Sequence, residues 1–143
     1  MKRTLVDTEC WLFWHFSPER LGAAALALFE ERRAPLLLSA ASAWEIAIKA
    51  ALGKLELPQP PDRFVPEQLA EDGIDPLPIE HAHALRVSHL PPHHNDPFDR
   101  LLIAQAQLER CALLTTDAQL LQYDVDLVWG GRQGPPRRTP RRK

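Results

Sequence analysis

The sequence LPPHHNDPFDRL occupies residues 90–101 and decides how the rest of the chain can fold. Its prolines break the preceding segment, and Asp96 followed by Pro97 is typical of a helix start. Aspartate is a favoured cap there, and proline at the first helical position loses no hydrogen bond. We therefore expect a loop that ends at Asp96 and a helix that continues to about residue 110.

Asp99 lies on the first turn of this predicted helix and on its apolar side. One turn further along, positions 102, 103 and 106 are Leu, Ile and Ala, so the carboxylate faces the interior. An interior carboxylate needs a cation, several donors or a metal as its partner. Asp96 is explained at least equally well as a helix cap. We expect His94 to form a hydrogen bond near Asp96, and Arg100 to point away and pair on the surface.

The composition is that of a soluble globular domain. The chain has 143 residues, of which 45% are hydrophobic and 25% are charged, enough for one domain with its own core. Its two cysteines, Cys10 and Cys111, lack metal-binding or paired spacing, which favours reduced thiols in a cytoplasmic protein. The longest uncharged run, residues 34–44, is too short to span a membrane.

The charge is unevenly distributed along the chain. Residues 132–143 hold six of the 17 basic residues and no acid, so the remainder has 11 basic and 19 acidic residues and a net charge of −8. An acidic body differs from the basic face that nucleic-acid-binding proteins usually present. We predict that residues 132–143 form a disordered tail. Alternatively, its arginines bind RNA phosphates; these are Arg137, Arg138, Arg141 and Arg142.

Short apolar runs alternate with helical patterns throughout residues 1–131. Strands are predicted near residues 4–6, 36–38, 74–77, 112–114 and 125–129. Helices are predicted between them, including one that Ser17 and Pro18 begin. Strands alternating with helices imply parallel crossovers. The sequence therefore predicts one α/β/α sandwich with a mainly parallel sheet, followed by the tail.

Four acids are expected to meet at one edge of this sheet. Asp7 and Asp117 directly follow predicted strands, and the carboxyl ends of parallel strands share the edge where ligands bind. Glu45 lies on the helix after the second strand and Asp99 on the first turn of its own helix. Four such carboxylates repel one another, and Mg²⁺ or Mn²⁺ would relieve the repulsion. The chemistry expected is phosphodiester hydrolysis or phosphoryl transfer.

Each acid also has a simpler explanation when it is taken alone. Glu45 can pair with Lys49 one helical turn away, and Asp7 and Asp117 can cap the helices that follow them. We favour the metal site because all these simpler explanations would have to hold together while Asp99 also faced inward. The six histidines lack the spacing of a zinc site.

An ordered set of motifs resembles the PIN-domain toxins of the VapC type, which belong to bacterial toxin–antitoxin pairs. The motifs are LVDT at 5–8, SAWEIAIK at 42–49, GKL at 53–55, HNDPFDR at 94–100 and TD at 116–117. The similarity covers residues 4–129 without a break in order. It implies a PIN fold and an Mg²⁺- or Mn²⁺-dependent endoribonuclease that acts on tRNA or rRNA. It also implies a homodimer and a small antitoxin that covers the acidic pocket.

The resemblance also assigns roles to particular residues. The catalytic acids would be Asp7, Glu45, Asp99 and Asp117. Metal contacts would fall mainly on Asp7 and Asp99, with Glu45, Asp96 and Asp117 in support, and the hydroxyls of Thr8 and Thr116 would assist. Many relatives have histidine where this chain has Glu9, and the tail lies beyond the usual end of the domain. The alternative function is a catalytically weak PIN-fold module that binds RNA or an antitoxin.

Overall fold

The computed structural model describes residues 2–136, and its five strands there form one sheet. The strand order is β3-β2-β1-β4-β5, and all neighbouring pairs are parallel. The strands are β1 (Thr4–Val6), β2 (Leu36–Ser39), β3 (Asp75–Leu77), β4 (Ala112–Thr115) and β5 (Leu127–Trp129). The helices of this part are α1 (Thr8–Phe16), α2 (Ala23–Glu31), α3 (Ala40–Ala51), α4 (Pro61–Asp72), α5 (His81–Arg86) and α6 (Pro97–Glu109).

Alternate side chains of the central strands enter two separate cores. Val6, Leu38 and Leu114 pack on one face of the sheet against α1, α2 and α4. Leu5, Leu37 and Leu113 pack on the other face, where α6 supplies most of the cover. Each fully buried leucine contributes about 2 kcal/mol to the stability of the fold. Continuous apolar runs such as these are typical of strands that are covered on both faces. The predicted α/β/α sandwich with a parallel sheet is confirmed.

The ends of the helices at the sheet edge follow local sequence signals. Ser39 caps α3 by accepting a hydrogen bond from the Ala41 amide, and Asp96 caps α6 by accepting from the amides of Phe98 and Asp99. Pro97 then takes the first helical position, where its missing N–H is tolerated. These caps orient the first turns of α3 and α6 toward the carboxyl edge of the sheet.

The predicted helix start at Ser17 and Pro18 is wrong. Residues Pro18–Arg20 form one 3₁₀ turn, and α2 begins only after Gly22. The Gly22 amide donates to the Gly130 carbonyl at 2.9 Å, and a Cβ on Gly22 would lie 2.1 Å from the Gly131 carbonyl oxygen. This contact with the segment after β5 sets the start of α2, and the local sequence does not reveal it.

The predicted boundary between domain and tail stays a prediction. The indole N–H of Trp129 donates to the Gln133 carbonyl at 2.9 Å, so contacts with β5 continue two residues past position 131. Arg137, Arg138, Arg141 and Arg142 lie outside the described residues. No helix within residues 2–136 is both long and apolar enough to cross a membrane.

Candidate metal centre

Asp7 lies directly after β1 and caps α1. Its Oδ1 accepts from the Glu9 amide at 3.3 Å, and its Oδ2 accepts from the Thr115 hydroxyl at 2.6 Å. The residue is only 5% exposed. The parallel register sets Val6 beside Leu114, so the next pair, Asp7 and Thr115, projects to the same side of the sheet.

The hydroxyl that bonds to Asp7 comes from a threonine that was not predicted from the sequence. Thr115 donates its hydroxyl proton to Asp7, and the supporting role of Thr116 stays a prediction. Thr8 is buried and donates to Ser42 Oγ at 2.7 Å, which joins α1 to α3. The hydroxyl that holds the first acid therefore comes from the last residue of β4.

Asp99 faces inward from the first turn of α6, as the helical spacing predicts. Leu102, Ile103 and Ala106 on the same face are buried, and the Asp99 side chain is 16% exposed. Burial is the largest cause that raises the pKa of Asp99, to about 8, followed by the negative charges of Asp7, Asp96, Asp117 and Glu45. The negative charges of four other acids therefore act on the Asp99 carboxyl.

Burial likewise raises the pKa of Asp7, to about 6. The hydrogen bonds from Thr115 and from the Glu9 amide oppose this shift, while the charges of Glu9 and Glu45 add to it. Glu9 itself is exposed. Where many relatives were expected to carry histidine, this chain thus adds a further negative charge that acts on Asp7.

Glu45 forms the ion pair with Lys49 that its simpler explanation predicts. Its side chain is 14% exposed, and its Oε2 lies 3.3 Å from Lys49 Nζ one turn along α3. The ion pair is therefore present, but the carboxylate is largely buried and its charge raises the pKa of both Asp7 and Asp99. Lys49 offsets part of the negative charge of the cluster from its outer side.

Asp117 follows β4 and caps the short 3₁₀ helix that begins at Ala118. Its Oδ1 accepts from the Gln119 amide at 2.9 Å, and its Oδ2 lies 2.8 Å from His94 Nε2. The same His94 nitrogen lies 3.1 Å from Asp99 Oδ2. One ligand atom from each of His94, Asp99 and Asp117 lies within 4.8 Å of the others.

The geometric role of His94 was missed from the sequence. The expected bond near Asp96 exists, since the Asp96 amide donates to His94 Nδ1 at 3.0 Å. The contacts to Asp99 and Asp117 depend on how the loop before α6 folds against the segment after β4. The spacing of residues 94 and 96 predicts the local bond but gives no sign of the long-range contacts.

Arg100 stabilises this loop through hydrogen bonds instead of forming the expected ion pair on the surface. Its guanidinium donates to the carbonyls of Pro91 at 3.0 Å, Val87 at 3.1 Å and Leu90 at 3.4 Å. It also donates to the Tyr123 hydroxyl at 3.3 Å. Five fixed donors make arginine suited to collecting several carbonyls, so Arg100 ties residues 87–94 to α6.

The donor set fits a hard divalent cation. Asp7, Glu45 and Asp99 offer carboxylate oxygens that are mostly shielded from water, and this burial is the main reason that the pKa values of Asp7 and Asp99 are raised. Oxygen-only sites suit Mg²⁺ or Mn²⁺. Asp96 contributes charge, but its Oδ1 is used by the α6 cap.

A family model for the PIN domain matches residues 4–126. The chain belongs to the PIN-domain family. A 68-residue segment of the chain is 47% identical to Ribonuclease VapC16 of Mycobacterium tuberculosis, and the match covers 45% of this chain and 48% of that relative. The match thus spans about half the length of the relative.

Solved structures resemble this PIN domain across nearly its whole length. VapBC2 from Rickettsia felis, crystallised with a DNA fragment from the promoter, aligns with a TM-score of 0.69 over 90% of this chain and 98% of that chain. DNA-bound VapBC from Salmonella typhimurium aligns with a TM-score of 0.65 over the same shares. The sequence identities are 10% and 15%, so these neighbours establish the fold alone.

Proposed function

We propose that this PIN domain is a metal-dependent endoribonuclease that acts as the toxin of a toxin–antitoxin pair. The observation that carries the proposal is the close grouping of Asp99 and Asp117 around His94, together with the negative charges of Asp7 and Glu45 that act on the Asp99 carboxyl. Family membership and the VapC16 relative support ribonuclease chemistry in particular. RNA, as tRNA or rRNA, is the proposed substrate, and the cytoplasm is the proposed location.

Asp7 and Asp99 would hold Mg²⁺ or Mn²⁺, with Glu45, Asp96 and Asp117 in support. The bound cation would supply an activated water and would stabilise negative charge on the attacked phosphate. The protein's part is to hold the carboxylates in position: the Thr115 hydroxyl fixes Asp7, and the Gln119 amide fixes Asp117. Lys49 lies beside Glu45, and its positive charge would attract the RNA backbone toward the acidic cluster.

A small antitoxin and a second copy of the chain are the proposed protein partners. Trp44 on α3 and Leu52, directly after the end of α3, are 60% and 63% exposed. The Trp44 ring packs edge-on against Phe98, at 5.2 Å between centroids. A partner that covered Leu52 and Phe98 would also cover Glu45, because all three residues line the same surface groove. This arrangement supports an antitoxin that blocks access to the acids.

Removing the metal is expected to abolish RNA cleavage by the full-length protein. With Mg²⁺ or Mn²⁺ the protein should cut a structured RNA, and excess EDTA should reduce the rate by at least about a hundredfold. Asp7→Asn should lose cleavage to a similar extent, while Asp75→Asn, at an exposed position on β3, serves as the matched control. Cleavage that continues in EDTA, or in Asp7→Asn, would contradict the proposal; RNA binding without cleavage by the wild type would favour the binding module.

The basic tail is proposed to hold RNA phosphates. Replacing Arg137, Arg138, Arg141 and Arg142 with glutamine keeps the chain length and the Trp129–Gln133 bond. The change should weaken RNA binding and reduce the slope of log affinity against log salt concentration by roughly 1 to 3. Binding is best measured in an Asp99→Asn background, where the RNA stays intact. An unchanged salt slope would show that the tail does not contact RNA.

A further inference from the structure

The loop residue His94 is held at both its backbone and its ring. Its amide donates to the Tyr123 hydroxyl at 3.0 Å, and its carbonyl accepts from Arg100 at 3.5 Å. Tyr123 is buried, at 1% exposure. The imidazole, whose side chain is 12% exposed, therefore has little freedom to leave the position in which it faces the carboxylates of Asp99 and Asp117.

The hydrogen bond at Nδ1 determines which ring nitrogen carries the proton. The Asp96 amide can only donate, so His94 Nδ1, 3.0 Å away, must accept with its lone pair. In a neutral imidazole the proton is then on Nε2. That N–H points at Asp117 Oδ2 at 2.8 Å and at Asp99 Oδ2 at 3.1 Å, and both carboxylate oxygens can accept it.

This tautomer has no lone pair at Nε2 with which to bind a metal. Ligation through Nε2 would require the proton to move to Nδ1, where it would face the Asp96 N–H donor and break that bond. The proximity of His94, Asp99 and Asp117 therefore does not describe three metal ligands. It describes one fixed N–H shared by two carboxylates.

We propose that His94 is a positioning residue that orients Asp99 and Asp117 for a divalent cation without binding the cation itself. The inference rests on the proposed function, because it concerns the same metal centre. With Oδ1 of Asp117 held by the Gln119 amide and Oδ2 held by His94, that carboxylate is fixed at both oxygens. Without the His94 donor, Asp99 and Asp117 repel each other directly and lose their shared orientation.

Two substitutions separate the functions of the two ring nitrogens. In His94→Asn the side-chain oxygen replaces Nδ1 and can still accept from the Asp96 amide, but the side chain is too short to reach the acids. In His94→Gln the amide nitrogen replaces Nε2 and can still donate to Asp99 and Asp117. His93→Asn is the control for general disturbance of the loop, since His93 is exposed and its ring packs against Tyr123 at 5.1 Å.

Calorimetric titration of the full-length variants with Mn²⁺ tests the inference. His94→Asn should bind Mn²⁺ about tenfold or more weakly, as loss of a partner that orients the ligands usually does. His94→Gln and His93→Asn should remain within about threefold of the wild type, a difference well below that expected loss. Wild-type affinity in His94→Asn, or tighter binding, would overturn the inference. A loss in His94→Gln equal to that in His94→Asn would also overturn it.

A spectroscopic measurement on the wild type covers the case in which His94→Asn does not fold. The ¹⁵N NMR spectrum of the His94 ring should show the Nε2-protonated tautomer both before and after Mg²⁺ is added. Loss of the Nε2 proton on metal binding would make His94 a ligand and overturn the inference. A wild type that binds no Mn²⁺ overturns this inference together with the metal centre, whereas one that binds Mn²⁺ but leaves RNA uncut removes only the ribonuclease proposal.

Discussion

Replacing Asp99 with asparagine is expected to lower metal-dependent RNA cleavage by at least about a thousandfold, equivalent to roughly 4 kcal/mol of barrier. The substitution keeps the shape of the side chain, and its oxygen can still accept from His94 Nε2, which lies 3.1 Å from Asp99 in the native chain. The substitution removes the negative charge of the Asp99 carboxylate, which faces inward from α6. Mn²⁺ affinity should fall with the rate, because the charge attracts the cation.

The same substitution is expected to stabilise the metal-free protein. Burial and the neighbouring acids raise the pKa of Asp99 to about 8, so at neutral pH folding must either protonate this carboxyl or bury its charge. Asparagine avoids that cost, and the free energy of unfolding without metal should increase by roughly 1 to 3 kcal/mol. Denaturant unfolding in EDTA measures this change alongside the cleavage assay.

Loss of activity with a gain in stability separates a functional acid from a structural one. Asp75→Asn, at an exposed position of β3, should leave both quantities close to those of the wild type. A cleavage rate within tenfold of the wild type would contradict a metal role for Asp99. A decrease in metal-free stability would instead mean that the Asp99 carboxylate serves the fold.

The features that could be predicted from the sequence are those set by local patterns and by the rules of parallel sheets. The runs at 4–6, 36–38 and 112–114 are too apolar to lie anywhere but in a doubly covered strand, and they form the three central strands. The positions of Asp7 and Asp117 follow from those strands. The inward direction of Asp99 follows from the 3.6-residue period of α6.

The features that could not be predicted depend on contacts between distant segments. Whether Thr115 or Thr116 faces Asp7 depends on the pairing register of β1 with β4, and a shift of one residue reverses the answer. His94 reaches Asp99 and Asp117 only because Tyr123 and Arg100 fix its backbone. No spacing along the chain carries that information, since Tyr123 lies 29 residues from His94.

The metal-free protein is expected to lose stability as the pH rises from 5 to 8. The pKa of Asp7 is about 6 and that of Asp99 about 8 in the folded chain, both above the usual 3.8. Below about pH 4 these carboxyls are protonated in the folded and unfolded states alike. Above it the unfolded chain releases protons that the folded chain still holds, so stability is lost from about pH 4 up to 6 because of Asp7 and up to 8 because of Asp99.

A divalent cation should reverse this dependence on pH. Metal binding requires deprotonated carboxylates, so Mg²⁺ or Mn²⁺ stabilises the folded state most at the pH where the metal-free cluster is least stable. Between pH 5 and pH 8 the free energy of unfolding in EDTA should fall by roughly 2 kcal/mol or more. Most of that loss should be recovered at pH 8 in millimolar Mn²⁺, and little change should be seen at pH 5.

The double variant Asp7→Asn/Asp99→Asn identifies which groups are responsible. Because the charge of Asp7 raises the pKa of Asp99, only the joint removal of both acids subtracts the whole effect. The difference in stability between wild type and double variant should change with pH, and the stabilisation by Mn²⁺ should disappear. If the difference in stability between wild type and double variant stayed constant from pH 5 to pH 8, these carboxyls would not cause the dependence on pH. Equal stabilisation of the wild type by Mn²⁺ at pH 5 and at pH 8 would lead to the same conclusion. The double variant retains the Glu45–Lys49 pair and the Asp117 cap, so the two buried carboxyls alone account for any change.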